Sequence, residues 1–319
     1  MLPGPEPAPP LTNASSRLYS GMRLLILGAT REPQQWLLQA GHEAVLMSSK
    51  DKVSLEDIRS GFTQVIVVDG RSRGELVGIA DQLHRARRFD AVCSFTDTWQ
   101  PLANRIADAL GLPRPVPPLV LELTMNKSRM RAHLAAAGVE NTGFRLVESP
   151  AQLAQALDEL GAPCILKPVD GEASSGVTRL DGERDIARAI AWFRDSGHAF
   201  PALIETFLTG EEFSVEAISE AGRHHILAIT KKYKDTTTFV EHGHVVPALL
   251  PDEIAHGIRS HVTRVLDAIG LVAGPSPQAI TKPLRSRLLR TGPPRSPSFL
   301  ASSTATIPGD ARTAASSSI

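Results

Sequence analysis

The first feature of this 319-residue chain that could do chemistry is a lysine at the end of a short apolar run. In the stretch 163–177, Cys164 to Leu166 reads as a buried strand. It delivers Lys167 and Pro168 into small residues, Gly171, Ala173, Ser174, Ser175 and Gly176, with Glu172 among them. Small residues let backbone N–H groups approach a phosphate closely, and the lysine adds a positive charge. Strand, lysine, small-residue loop and strand therefore read as a cradle for a nucleoside triphosphate. It is not a Walker A loop, because the lysine precedes the glycines and no Gly-Lys-Ser/Thr follows. A solvated hairpin turn is the alternative for the same residues.

Two carboxylates and a second lysine extend the pattern. An apolar strand ends at Glu205, followed by Thr206, Phe207 and Leu208, and Glu212 begins the next strand after a Thr-Gly turn. A glutamate leaving a strand can sit at an adenine hinge whose backbone reads the base edge. The second acid is placed to accept hydrogen bonds from ribose hydroxyls. Upstream, Asn126 and Lys127 open a helix. Each of Lys127, Lys167, Glu205 and Glu212 has the alternative of an ordinary surface charge.

Met125-Asn126-Lys127, Ile165-Leu166-Lys167-Pro168, the loop 171–177 and the segment 205–216 together resemble the ATP-grasp superfamily, in its carboxylate–amine ligase branch. The segment 239–248, with Glu241, His242 and His244, is similar to the substrate-side segment of the L-amino-acid ligase group. The resemblance runs from about residue 22 to residue 276. It implies an α/β lobe followed by an α+β part: an ATP-grasp fold with an N-terminal Rossmann-like lobe, incomplete at its C-terminus. By the same resemblance Lys127 and Lys167 contact the phosphates of ATP, and Gly171, Glu172, Ala173, Ser174, Ser175 and Gly176 close over them. Glu205, Thr206, Phe207 and Leu208 form the adenine hinge, Glu212 meets the ribose, and His244 near Glu241 contacts substrate as the catalytic candidate. An ordinary loop histidine is the other reading of His244. The implied reaction is ATP-dependent ligation of a small carboxylate to an amine through an acyl phosphate. A biotin-carboxylase-like subunit and a nucleotide-binding protein without catalysis are the rival readings.

The elements that must position these residues are legible in outline. Apolar strands at 23–28, 44–48, 64–69 and 90–95 alternate with helix-like stretches such as 74–88, which predicts a parallel α/β lobe over residues 22–117. Gly28-Ala29-Thr30 follows the first strand without the G-x-G-x-x-G of a dinucleotide turn. The prolines of 112–118 read as a linker. An ATP-grasp domain is expected over 118–276, with a lid at about 140–204 and the core at 205–276. Its helices are read at 127–137, ending at Gly138; at 149–160, with Ser149 as N-cap; and at 181–194. Strands 212–220 and 224–233 pair around Ala221-Gly222, with His224 and His225 at the surface. Lys231 and Lys232 point to opposite faces, so only one can enter a cleft. A helix from Pro251-Asp252 to Gly270 presents Ile254, Ile258, Val262, Val265, Leu266 and Ile269 on one face.

After Ser276 the character changes. Residues 277–319 are rich in Arg, Pro, Ser and Thr, show no helix or strand period, and contain one acid, Asp310. In the resembled family this strand continues into carboxylates that hold Mg²⁺ between the phosphates and an arginine that steadies the transition state. Mg²⁺ is thus expected for the family, but its ligands are absent here, so no metal-ligating residue is assigned. The segment reads as an aperiodic, disordered tail from a lost reading frame, with a genuine basic tail as the rival. The truncated core is expected to leave an open sheet edge and a poorly soluble chain. Residues 1–21 read as a disordered leader without a signal peptide's basic start and apolar core.

Composition bounds the rest. Lys and Arg number 34 and Asp and Glu 34, so the formal net charge is zero and no sustained basic face points to nucleic acid or a membrane surface. No apolar run approaches the roughly 18 to 20 residues of a membrane helix. Two cysteines, Cys93 and Cys164, in apolar runs read as buried free thiols of a cytoplasmic protein, and a His-x-His pair without a third ligand is weak as a metal site. The expected partners are small carboxylates and amines, with homodimerisation left open.

Overall fold

The computed structural model describes residues 21–29, 31–59, 61–170, 175–235, 239, 241–283 and 300–302. The chain divides into two units, Met1–Val116 and Pro117–Ile319.

In the first unit, β1 (Arg23–Leu27), β2 (Glu43–Ser48), β3 (Gln64–Val67) and β4 (Ala91–Ser94) form a parallel sheet in the order β3-β2-β1-β4. Strands buried on both faces read as continuous apolar runs, and β1 and β2 do so for that reason. Leu25, Leu27, Val45 and Met47 pack on one face with helices α3 (Arg73–Ala86) and α4 (Gln100–Leu110). Leu24, Ile26, Ala44 and Leu46 pack on the other with Leu37 and Leu38 of α1 (Arg31–Gln39). A short helix α2 (Leu55–Arg59) precedes β3. Helix α3 starts on a capping box in which Ser72 and Glu75 each serve the other's backbone N–H. Gly28 turns the chain after β1 with a positive φ of 76°, and a Cβ there would lie 2.3 Å from Thr96 Oγ1. The glycine is therefore needed for packing and backbone conformation.

The second unit opens with α5 (Pro118–Met125) and α6 (Lys127–Ala136). Asn126 caps α6 by accepting from the Arg129 N–H at 3.0 Å. A four-stranded antiparallel sheet follows in the order β5-β8-β6-β7, built from β5 (Phe144–Val147), β6 (Cys164–Pro168), β7 (Thr178–Leu180) and β8 (Ala202–Thr206). One face buries Val147, Cys164, Leu166, Leu180, Ala202 and Ile204 against α7 (Leu153–Leu160) and α8 (Ile186–Asp195). Both helices begin later than the sequence predicts, because 3₁₀ turns at Pro150–Gln152 and Glu183–Asp185 precede them. Ser149 makes no side-chain cap, and the neighbouring Glu148 N–H donates to Gln152 Oε1 instead.

The remaining sheet has the order β11-β10-β9-β12-β13, all antiparallel: β9 (Gly210–Glu220), β10 (Arg223–Lys234), β11 (Glu241–Val245), β12 (Gly274–Pro283) and β13 (Leu300–Ser302). Ala221 and Gly222, both at positive φ, make the tight hairpin between β9 and β10. Helix α9 (Asp252–Ile269) buries Ile258, Val262, Val265, Leu266 and Ile269 and ends at Gly270 in the left-handed region.

The described residues depart from two expectations. The strand expected to break off at Ser276 continues to Pro283, pairing Pro277 with Glu216 and Thr281 with Glu212, and β13 pairs in turn with β12. Among the described residues β12 covers β9 and is itself paired onward only at Ala279–Thr281, because a ladder needs backbone groups in register and no apolar period. The other calls on the tail, at 284–299 and 303–319, lie outside the described residues, as does the leader to residue 20. His224 is not a surface residue. Its side chain is 3 % exposed, bonded at 2.7 Å to Ser219 Oγ and at 3.1 Å to Asp267 of α9.

The buried face of α9 also holds His261. Burial pushes its imidazolium down to about 4, with Arg264 alongside adding repulsion. The unfolded chain binds a proton near 6.5 that folded His261 refuses until about 4. Stability is therefore held above pH 6.5 and lost as the pH falls through that window, by at most about 3 kcal/mol. The variant His261→Met is expected to flatten the melting temperature between pH 6.5 and 4. An unchanged slope would contradict this assignment.

Both cysteines are free; burial raises the Cys164 thiol and pushes that of Cys93 up to about 12, so neither is a ready nucleophile. No helix among the described residues is long and apolar enough to cross a membrane.

Candidate functional site

Alternation along β6 decides where Lys167 goes. Cys164 and Leu166 point into the core, so Ile165 and Lys167 lie on the opposite face. On β8, Glu205 pairs with Ile165 and Leu203 with Lys167, which puts the lysine and the glutamate diagonally across one face. Lys167 Nζ lies 2.7 Å from Glu205 Oε2. Arg131 of α6 completes the cluster. Its Nε donates to Glu205 Oε1 at 2.7 Å, its Nη2 reaches Oε2 at 3.4 Å, and its Nη1 pairs with Glu140 Oε1. Thr142 Oγ1 donates to the same Glu140 oxygen at 3.0 Å.

The cluster is dry: the side chains of Glu140, Arg131, Glu205 and Lys167 are 2, 5, 8 and 12 % exposed. Burial alone would push the Glu205 carboxyl up, yet Lys167 and Arg131 overcome it and hold the group down, at about 2. Burial pushes the Lys167 ammonium down against the pull of Glu205. It pushes Glu140 up against the pull of Arg131.

Lys127 is brought to the same end of the sheet by its backbone, whose N–H donates to the Val169 carbonyl at 2.9 Å just past β6. Gly171, Glu172, Ala173 and Ser174 lie outside the described residues. The exit of that loop is tied down. Ser175 Oγ is 3.0 Å from His198 Nε2, and the His198 ring lies tilted against Phe193 of α8 with centroids 5.5 Å apart. Gly176 has φ +69°, and a Cβ there would lie 2.4 Å from His198 Cδ2, so only glycine admits the histidine.

At the end of β8, Thr206 and the following Phe207 donate their N–H groups to the carbonyls of Gly143 and Pro163, each at 2.9 Å. Neither can therefore donate to a base edge. Leu208 is partly buried. The Phe207 ring carries the Arg179 guanidinium at 4.4 Å and meets the Phe239 ring edge-on at 6.4 Å. Phe239 is buried at a positive φ of 59°, which costs a residue with a Cβ.

Lys234, 5.7 Å from the Phe239 ring, leads into a second polar cluster. There Glu212 is held by Lys234 and lies 3.7 Å from Lys232, which also pairs with Glu241. His244 Nε2 is 2.9 Å from Glu241 Oε2. Burial raises the Glu241 carboxyl, but Lys232 and His244 bring it below its ordinary value. Of the two adjacent lysines, Lys232 shares the Glu212 face, and Lys231 turns to Glu211 at 2.6 Å. The ladder shifts register between Tyr233 and Lys234, where Gly243 and then Glu241 are the partners, so His242 is left as the extra residue. Among the described residues no three or more His, Cys, Asp or Glu side chains converge as a metal site.

The fold thus gathers Lys167, Glu205 and the backbone of Lys127 at one place, Ser175 and Gly176 at the His198 tether, and Glu212 with His244 around Lys232. Sequence reasoning missed Arg131, Glu140, Arg179, His198 and Lys234. Only Arg131 had a local signal: it stands four residues after Lys127 and so shares a helix face with it.

The model of the family described as ATP-grasp domain matches residues 160–278, and that of the ATP-grasp N-terminal domain matches residues 38–114. An uncharacterised protein, y4rH, of Sinorhizobium fredii is 28% identical over 67% of this chain and 45% of its own length. A D-alanine–D-alanine ligase of Bordetella petrii is 24% identical over 79% of this chain and 73% of its own. The crystal structure of an L-amino acid ligase from Bacillus licheniformis superposes with a TM-score of 0.69 at 23% identity, covering 83% of this chain and 64% of that one. That likeness speaks for the fold. This chain spans about half the length of several curated relatives it matches.

Proposed function

We propose that this chain, a member of the ATP-grasp superfamily, binds ATP at the end of β6 and serves ATP-dependent ligation of a small carboxylate to an amine. The observation that carries the reading is Lys167: a strand-end ammonium, held by an ionised Glu205, beside the start of α6 and the tethered loop exit. In this reading Lys167 and Lys127 hold the phosphates, and residues 171–176 close over them. The segment Glu205 to Leu208 flanks the base, with Phe207 offering a ring and Leu208 the remaining backbone donor in place of Thr206 and Phe207. Glu212 takes the ribose hydroxyls.

The chemistry asks mainly for positioning and charge neutralisation. A carboxylate oxygen attacks the γ-phosphorus, and ADP leaves. The amine nitrogen then attacks the acyl carbon, releasing phosphate and forming the amide. Lys167 and Lys127 offset negative charge on the nucleotide throughout. In this reading His244, which is hydrogen-bonded to Glu241, takes a proton from the incoming ammonium group, which must be neutral to attack.

Family members use Mg²⁺, and the donors described here do not fit it. Glu212 and Glu241 are tied to Lys232 and Lys234, and the sequence after β12 offers a single acid, Asp310. That donor set favours a second reading, in which the chain keeps the nucleotide pocket without turnover. ADP release separates the two. Ligation predicts ADP production that rises when pairs of L-amino acids are added. Nucleotide binding with no release under any pair supports the second reading and overturns the first.

A further inference from the structure

We propose that Arg131 and Glu140 form a charge-compensating pair that keeps Lys167 available to a nucleotide phosphate, which makes both of them positioning residues for the nucleotide site. The inference rests on the reading of Lys167 as a phosphate ligand. Two cations and two carboxylates share one dry cluster on the sheet face opposite the apolar core. The Arg131 fork lies between the two acids and contacts both. Lys167 stands at the end of the row, in contact with one oxygen of one acid, and is the most exposed of the four. It also stands at the loop end of β6, one residue before the strand closes at Pro168.

The compensation follows from what a neutral side chain at 131 would leave. One ammonium would then face two buried carboxylates, one of them without a balancing charge. Lys167 would be drawn toward the protein's own acids, in competition with a phosphate. Glu140 is the acid that makes the difference. Its Oε1 is served by Arg131 and Thr142, and its Oε2 is buried without a hydrogen-bond partner. Glutamine at 140 keeps the shape and can still accept from Thr142, yet removes the surplus charge. Loss of Arg131 should therefore be repaired by loss of the Glu140 charge, an effect that simple packing would not produce.

The test is equilibrium binding of a fluorescent ATP analogue to the full chain, at a temperature where every variant is folded. Arg131→Met is expected to weaken binding by about tenfold or more, and Arg131→Met with Glu140→Gln to return to within about threefold of the wild type. Arg131→Lys retains the charge without the fork and reports even if the methionine variant fails to fold. It is expected to bind more tightly than Arg131→Met, since the charge remains although the fork is lost. A double variant as weak as Arg131→Met, or an Arg131→Lys as weak as the methionine variant, overturns the compensation alone. A folded wild type that binds no nucleotide overturns the site reading, and this inference with it.

Discussion

Glu205→Ala is expected to cost about 3 to 5 kcal/mol of folding stability, the penalty for removing one partner of a buried ion pair. The side chain is 8 % exposed and is the common partner of Lys167 and Arg131. Its loss leaves two cations in a dry cluster with Glu140 alone. The same group sets an acid limit. Its carboxyl sits at about 2 in the folded chain against an ordinary 4.5. A depressed acid contributes stability that is complete above pH 4.5 and lost as the pH falls through about 2. Urea denaturation of the variant at neutral pH measures the first effect through the midpoint. A loss under about 1 kcal/mol would contradict the buried-pair account.

Lys167→Met is expected to lower ATP affinity by roughly ten- to a hundredfold, the worth of a charged hydrogen bond to a phosphate. Adenosine, which has no phosphate, should bind the variant as it binds the wild type. That contrast separates loss of the ammonium from general damage, since Arg131 would face two carboxylates in the variant. Competition against a fluorescent ATP analogue gives both affinities. An equal loss for adenosine and ATP would place the damage in the fold and remove Lys167 from the phosphate site.

How much of this was legible depends on whether the cause is local. The continuous apolar runs of β1 and β2 announce strands covered on both faces, and Asn126 before Lys127 announces a helix start. Both depend on residues within a turn or a strand length of one another. Lys167 was legible for the same reason, as a charged residue closing a buried run. Arg131 meets Glu205 across 74 positions, and no periodicity encodes that contact. His224 and His261 are buried by tertiary packing that overrides a polar residue's local preference for the surface. Gly176 read as a small residue that lets backbone N–H groups near a phosphate, and its missing side chain also makes room for the His198 ring. Pro277 to Pro283 lacked every strand signal and still pairs along β9, because a ladder is built from backbone groups in register. Thr206 and Phe207 looked free to read a base, but their N–H groups are committed to Gly143 and Pro163 through contacts that sequence cannot display.

If the strand-end lysine of β6 marks a nucleotide site, calorimetric titration of ATP into the folded wild-type chain should show saturable binding of one nucleotide per chain, with the affinity for ATP falling sharply in Lys167→Met. A folded protein that takes up no ATP at concentrations up to about 1 mM, the regime of the weakest specific binding, would contradict it.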